Sequence, residues 1–423
     1  MSYIENIKSY EIIDSRGIPT LLTEVILSNG ISGKAAVPSG ASTGIYEALE
    51  LRDKDLKRYM GKGVLNNIEL IKSIILDSLQ GLDVKDQKNI DKLLIDLDGT
   101  KNKKKLGANT ILSVSLAVAK AASKSENIEL YKYLGGINTN YMPVPLVNVI
   151  NGGAHAINNL DIQEYMLAPV GAKSFSEAIS WCSEIFFNLK DILKKNNYST
   201  SVGDEGGFAP NFKNNYEPLE YLIKAIKKSK LNPEKQVLIS LDIASSEFYK
   251  NKKYFLDSNK KELNSKEMVS YLKDITKKYP IFSIEDGCSE DDWNGWTELN
   301  SNLGKKTLIV GDDLFVTNKR RLEYGISKNA ANSILIKLNQ IGSLTETLDT
   351  INLAQSNKIE NIISHRSGET EDTFIADLSV GSNSRLIKTG SVARSERGAK
   401  YNRLIYIEKN NKNLNYAGEY FCV

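Results

Sequence analysis

Apolar and polar residues alternate along the first stretch of the chain, which predicts strands over 3–13, 19–28 and 31–37. Asn29-Gly30 separates the second and third, the dipeptide that a tight hairpin turn with positive φ favours. The run Pro38-Ser39-Gly40-Ala41-Ser42-Thr43-Gly44 then breaks the alternation with small and turn-forming residues. Beyond it the period lengthens to that of a helix, over 64–80, 86–97 and 107–124. The last of these is dense in Ala and Ser, so another element can approach its backbone closely. Strands followed by helices predict a small N-terminal α+β domain, residues 1–135. Gly135-Gly136, with Pro143 and Pro145 soon after, reads as the boundary to a second domain, 136–423.

In that second part, short apolar runs alternate with helical stretches, and each run ends in a charged or titratable residue. Val237–Leu241 leads to Asp242, Ile281–Ile284 to Glu285, and Leu308–Gly311 to Asp312. Ile334–Ile336 leads to Lys337, Ile362–Ser364 to His365, and Leu386-Ile387 to Lys388. The spacing matches a repeated strand-plus-helix unit, which predicts an α/β fold with a closed TIM-like (β/α)8 barrel. In such a barrel the C-terminal strand ends converge on one face, where charged residues read as catalytic. An open doubly wound sheet is the alternative, but its G-x-G-x-x-G turn is missing.

Composition narrows the function classes. The 55 basic and 52 acidic side chains nearly cancel, so no global field points to nucleic acid or to a membrane surface. No apolar run approaches the roughly 20 residues of a spanning helix. The Met1–Glu5 start shows no basic segment leading into an apolar one, so no signal peptide is expected. Cys182, Cys288 and Cys422 are scattered, without metal or disulfide spacing, which suggests a reducing, cytoplasmic setting. With only His155 and His365, a His-rich zinc site is excluded.

The strand-end residues carry the candidate chemistry. A lysine at the mouth of a core strand is either paired or depressed in pKa, and a depressed lysine is a base at neutral pH; Lys337 is read in the second way. Asp242, Glu285 and Asp312 offer hard oxygen ligands that suit Mg²⁺. The plainer alternative is that each carboxylate caps the helix after it. Lys388 faces the same cavity, where like charge and burial would lower both lysines. Arg366 and Ser367, directly after His365, suit an anionic oxygen cluster such as phosphate. The glycines beside Asp204-Glu205 allow a sharp turn, and Asn151–Asn159 reads as a loop around His155, followed by Gln163-Glu164.

Together these stretches resemble the enolase family over nearly the whole chain. The matching residues are Ser39–Gly44 with Tyr46-Glu47-Ala48, Asn151-Gly152-Gly153 with His155, and Gln163-Glu164. They continue through Gly203–Gly207, Ser283–Asp286, Asp312-Asp313-Leu314, Lys337–Ser343, Ser364–Asp372 and Lys388-Thr389-Gly390. Gly287 after Glu285-Asp286 is similar to bacterial members. The resemblance implies reversible dehydration of 2-phospho-D-glycerate to phosphoenolpyruvate. It implies Lys337 as the base at C2 and Glu205 as the acid for the departing hydroxide, with Glu164 as its partner. Asp242, Glu285 and Asp312 would hold one Mg²⁺; Ser39 and the phosphate would hold a second. Arg366 and Ser367 would bind phosphate, Lys388, Gln163 and His155 would contact substrate, and His365 would line the pocket. It further implies a homo-oligomer, dimer or octamer, in the cytoplasm. Binding of other proteins at a cell surface, or after secretion without a signal peptide, would be a second role. Three other readings stand beside it: a Schiff-base aldolase with Lys337 as nucleophile, an acid-sugar relative on the same barrel, and a non-catalytic protein that kept the fold.

Overall fold

The computed structural model describes residues 2–40 and 44–422. The N-terminal strands β1 (Ile4–Ile13), β2 (Pro19–Leu27) and β3 (Ser32–Ala36) form an antiparallel sheet in that order. Gly30 takes φ +81°, as the Asn-Gly turn requires. Leu21, Val25 and Leu27 bury one face of β2 against the helix Ala108–Ser125. The approach is close because the facing residues are small: a Cβ on Gly33 would lie 2.2 Å from the Ala121 nitrogen. The helix expected over 64–80 runs from Leu65 to Leu79 and contains a wider π turn at Ile71–Ile75.

The second part closes into an eight-stranded barrel. Its strands are β4 (Val144–Asn151), β5 (Glu164–Ala168), β6 (Leu238–Asp242) and β7 (Ile281–Glu285). They continue with β8 (Leu308–Gly311), β9 (Ser333–Ile336), β10 (Glu360–Ser364) and β11 (Leu386–Lys388), which pairs back onto β4. The expected barrel is present, but it is not parallel throughout. β5 runs antiparallel to both β4 and β6. The segment between β4 and β5 carries only the short 3₁₀ turn Gly153–His155, so no crossover helix returns the chain to the starting face and it doubles back. Pro143 and Pro145, read from the sequence as punctuation, lie before and inside β4. Pro145 precedes Val147, where the pairing with β5 begins, so its missing N–H interrupts no bond of that ladder.

Buried polar contacts join the two parts. Asp91 accepts from the Thr345 N–H at 2.9 Å and the Ser115 hydroxyl accepts from the Leu344 N–H at 3.0 Å, so both satisfy the first turn of the helix Leu344–Ser356. Lys103, in the Lys-rich run 101–105, is buried and pairs with Glu346 at 2.9 Å. The Lys/Asn-rich stretch 250–266 contributes strands Lys253–Leu256 and Lys261–Leu263 to a small sheet. Among the described residues no helix is long and apolar enough to cross a membrane.

Candidate active site

Asp242, Glu285 and Lys388 end β6, β7 and β11, while Asp312, Lys337 and His365 directly follow β8, β9 and β10. The reversed direction of β5 puts Glu164 at the start of that strand, with Gln163 just before it, at this same mouth. The cavity between them, ≈ 40 Å³, is lined by polar and charged side chains apart from Ala244. That lining suits a small, highly charged ligand rather than an apolar one.

The strand-end carboxylates do not cap the helices that follow them. Asn264, Asp292 and Asn318 do so. The carboxylates face the two lysines instead. Lys388 Nζ lies 2.9 Å from Asp242 Oδ2, 2.9 Å from both oxygens of Glu285 and 3.2 Å from Glu164 Oε1. Lys337 Nζ donates to Asp312 Oδ2, and Gln340 Nε2 donates to Asp312 Oδ1 at 2.8 Å. The depressed basicity expected of these lysines is therefore absent. Burial alone would lower Lys337, but the Asp312 charge outweighs it and the pKa is raised. Burial also opposes the charge on Lys388, yet Asp242, Glu164 and Glu285 hold it well above its usual value.

Glu164 and Glu205 form a second centre with the two histidines. His155 Nδ1 stands 3.5 Å from Glu164 and 3.7 Å from Glu205, and His365 Nε2 lies 3.5 Å from Glu205. Burial and the neighbouring Glu205 charge push Glu164 well up; burial acts the same way on Glu205, but the two histidines hold it well down. The two carboxylates thus titrate as one coupled pair. Arg397 donates to His365 Nδ1 at 2.7 Å. A guanidinium cannot accept, so Nδ1 is unprotonated and Nε2–H points toward Glu205. Burial, reinforced by Arg397, lowers the His365 pKa to about 4. Gly206 adopts φ +89°, and a Cβ there would lie 2.9 Å from the Ala393 carbonyl oxygen, so the turn that aims Glu205 inward requires glycine.

Arg366 and Ser367 line the cavity beside Lys337. Ser39 does not line it. Its backbone pairs with Gly368, and its hydroxyl is held between Glu50 and Arg52 at 3.0 Å each. Ala41, Ser42 and Thr43 of the same stretch lie outside the described residues. Several contributors have no assigned role in the sequence reading: Glu47, Asn148, Asp286, Asp313, Gln340 and Arg397. Asp286 accepts the backbone N–H groups of Asp312 and Asp313, both at 2.9 Å, and so fixes the turn after β8. Arg397, fully buried, donates to the Arg366 and Ser367 carbonyls at 2.6 Å each. Its signal in the sequence is a pair of cations, Arg397 and Lys400, in register with Leu404 and Ile407 on the buried stripe of a helix.

Two carboxylate groups could hold a hard divalent cation, but of the expected ligands only Asp312 belongs to one of them; Asp242 and Glu285 bond Lys388 instead. Asp286, Asp312 and Asp313 bring ligand atoms within 4.8 Å of one another, as do His155, Glu164 and Glu205. Negative charge exceeds what the lysines balance: burial and Asp242 push Glu285 well up, and burial with Asp312 takes Asp313 to about 8. Gln163 Oε1 and Glu164 Oε2, both buried, have no hydrogen-bond partner among the described residues.

Comparison with known families adds an independent line. The family model described as the enolase C-terminal TIM barrel domain matches residues 139–423, and the one described as the enolase N-terminal domain matches residues 4–134.

Proposed function

The chain belongs to the enolase family, and from that premise we propose that it is a phosphopyruvate hydratase, interconverting 2-phospho-D-glycerate and phosphoenolpyruvate. Family membership supports an enolase-type lyase that uses a divalent metal. We also propose a bacterial-type member, on the resemblance at Gly287 alone; separately, a Cβ there would press on Leu299 and Leu272, at 2.8 and 3.0 Å.

One observation carries the reading. β9 and β5 stand four strands apart in a ring of eight, so Lys337 and the Glu164–Glu205 pair occupy opposite walls of the barrel mouth. A base and an acid on opposite walls can take a proton from one carbon and deliver one to a leaving hydroxide on the other face. Lys337 is the base for C2. Glu205 delivers the proton to the C3 hydroxyl, and Glu164 stores it between turnovers. Removing a proton beside a carboxylate adds negative charge to that carboxylate, which Lys388 stabilises where it develops. Gln163 and His155 orient the substrate, His365 closes the wall behind Glu205, and Arg366 with Ser367 takes the phosphate.

Asp242, Glu285 and Asp312 would hold one Mg²⁺; for Ser39 to hold a second with the substrate phosphate, its hydroxyl would have to leave Glu50 and Arg52, which hold it outside the cavity here. Bound there, the ions would neutralise the carboxylates and stabilise the charge on the substrate carboxylate. We also propose a homo-oligomer, at least a dimer, in the cytoplasm; light scattering on the purified protein tests its size.

The assignment of the base is tested by following exchange of the C2 proton with deuterated solvent. The Lys337→Ala variant should not exchange it. A folded variant that still exchanges would remove Lys337 from this role.

A further inference from the structure

One buried ion pair at the cavity joins Arg366, the proposed phosphate anchor, to a carboxylate given no role above. Glu47, from the N-terminal part of the chain, faces Arg366, after β10 of the barrel. Arg366 donates to Glu47 Oε2 at 2.9 Å and to Oε1 at 3.2 Å. Both side chains are at most 5% exposed. Such a two-bond fork is the geometry with which an arginine grips either a carboxylate or a phosphate.

Glu47 is held firmly in place. Its carboxylate also accepts from the Gly44 N–H at 3.1 Å and from Gln340 Nε2 at 3.4 Å. The Ala48 N–H donates to the Gln340 carbonyl at 2.8 Å. Next to it, the Tyr46 ring packs 3.7 Å from the Arg321 guanidinium carbon, and its hydroxyl donates to Asp291 at 2.8 Å. Gln340 in turn reaches Asp312, the partner of Lys337. The Glu47 carboxylate therefore cannot swing away when an anion arrives without breaking several contacts.

We propose that Glu47 is a positioning residue that doubles as a built-in competitor: it orients Arg366 and opposes the substrate phosphate for the same guanidinium. This rests on Arg366 being the phosphate anchor. A fixed carboxylate beside that anchor repels a phosphate dianion, which weakens binding and speeds product release. A purely architectural Glu47 predicts the reverse sign, because losing it would leave Arg366 disordered and phosphate binding weaker.

The test uses the Mg²⁺-loaded full chain, with inorganic phosphate as competitive inhibitor and 2-phosphoglycerate as substrate. Glu47→Gln keeps the shape and removes the charge. The phosphate inhibition constant and KM should both fall, on the order of tenfold, while kcat also falls. Phosphate should raise the melting temperature of Glu47→Gln more than that of the wild type. Glu47→Asp, one methylene shorter, should give an intermediate inhibition constant and serves if the first variant does not fold. Unchanged or weaker phosphate binding in a folded variant overturns the proposal and leaves the assigned reaction standing. A wild type that turns over substrate but is not inhibited by phosphate overturns the role of Arg366 as well. No turnover by the wild type removes the reaction itself, and the proposal with it.

Discussion

Lys337 and Asp312 form an ion pair across the ends of β8 and β9, with Gln340 holding the other carboxylate oxygen. The residue assigned as base is thus charged in the metal-free protein. In the proposed reaction it would become a base only when the Asp312 charge is engaged elsewhere, which would tie catalysis to occupancy of the carboxylates by a divalent cation.

Replacing Lys337 by Ala should lower kcat by about 10²–10⁴ while the fold persists. The variant is compared with the wild type under saturating Mg²⁺ and substrate, with circular dichroism as the check on folding. A loss of less than tenfold would mean that another group takes the proton.

Glu285 should show opposite effects with and without metal. Burial and Asp242 push its carboxyl well up, so its charge is unfavourable in the metal-free fold. Glu285→Gln without metal should therefore melt no lower than the wild type, although Lys388 loses a partner. Mg²⁺ should stabilise the wild type by roughly 2.7 kcal/mol at a hundred times its Kd, and the variant far less. Differential scanning calorimetry with chelator and with Mg²⁺ reads both effects. An equal Mg²⁺ shift in the two proteins would take Glu285 out of the ligand set.

The same excess charge sets a pH dependence. Asp313 is raised to about 8, so the folded protein binds a proton that the unfolded chain releases near its ordinary value. The stabilisation is complete below that ordinary value and is lost as pH rises through about 8. His365, lowered to about 4, acts in the other direction: stability is lost as pH falls from its usual value of 6.5 through about 4. Above 6.5 that contribution is constant, so the metal-free protein should melt progressively lower between pH 6.5 and 8. Asp313→Asn should flatten the trend. A melting temperature that rises over this interval would contradict the charge balance described for the site.

Arg397 holds together the loop that carries the candidate anion site. Arg397→Met would leave the Arg366 and Ser367 carbonyls without their donor and free His365 to change tautomer. The expected loss is about 3–5 kcal/mol of stability, as for breaking a buried charged network. Urea unfolding measures it. The surviving folded fraction should show a raised KM for the phosphorylated substrate, because Arg366 and Ser367 lose their support.

Much of this was legible in the chain because it is local. Alternation and the Asn-Gly turn located β1 to β3, and the recurring apolar runs located β6 to β11 with their charged ends. What escaped depends on contacts distant in sequence. The reversal of β5 follows from a connection too irregular to hold a helix, and period alone does not reveal strand direction. β4 was hidden by Pro143 and Pro145, which read as breakers although Pro145 lies within the ladder to β11. The two lysines looked like depressed bases because their anionic partners come from other strands. Glu47 meets Arg366 only when the two domains dock, and Arg397 reaches the mouth from a helix near the C-terminus.

The central claim is the reaction itself. Its most direct test is the ultraviolet absorbance of purified protein mixed with Mg²⁺ and 2-phosphoglycerate. The account predicts a steady rise as the enol phosphate forms, abolished by chelation and restored by Mg²⁺. No rise, from protein that is folded and metal-loaded, would contradict it.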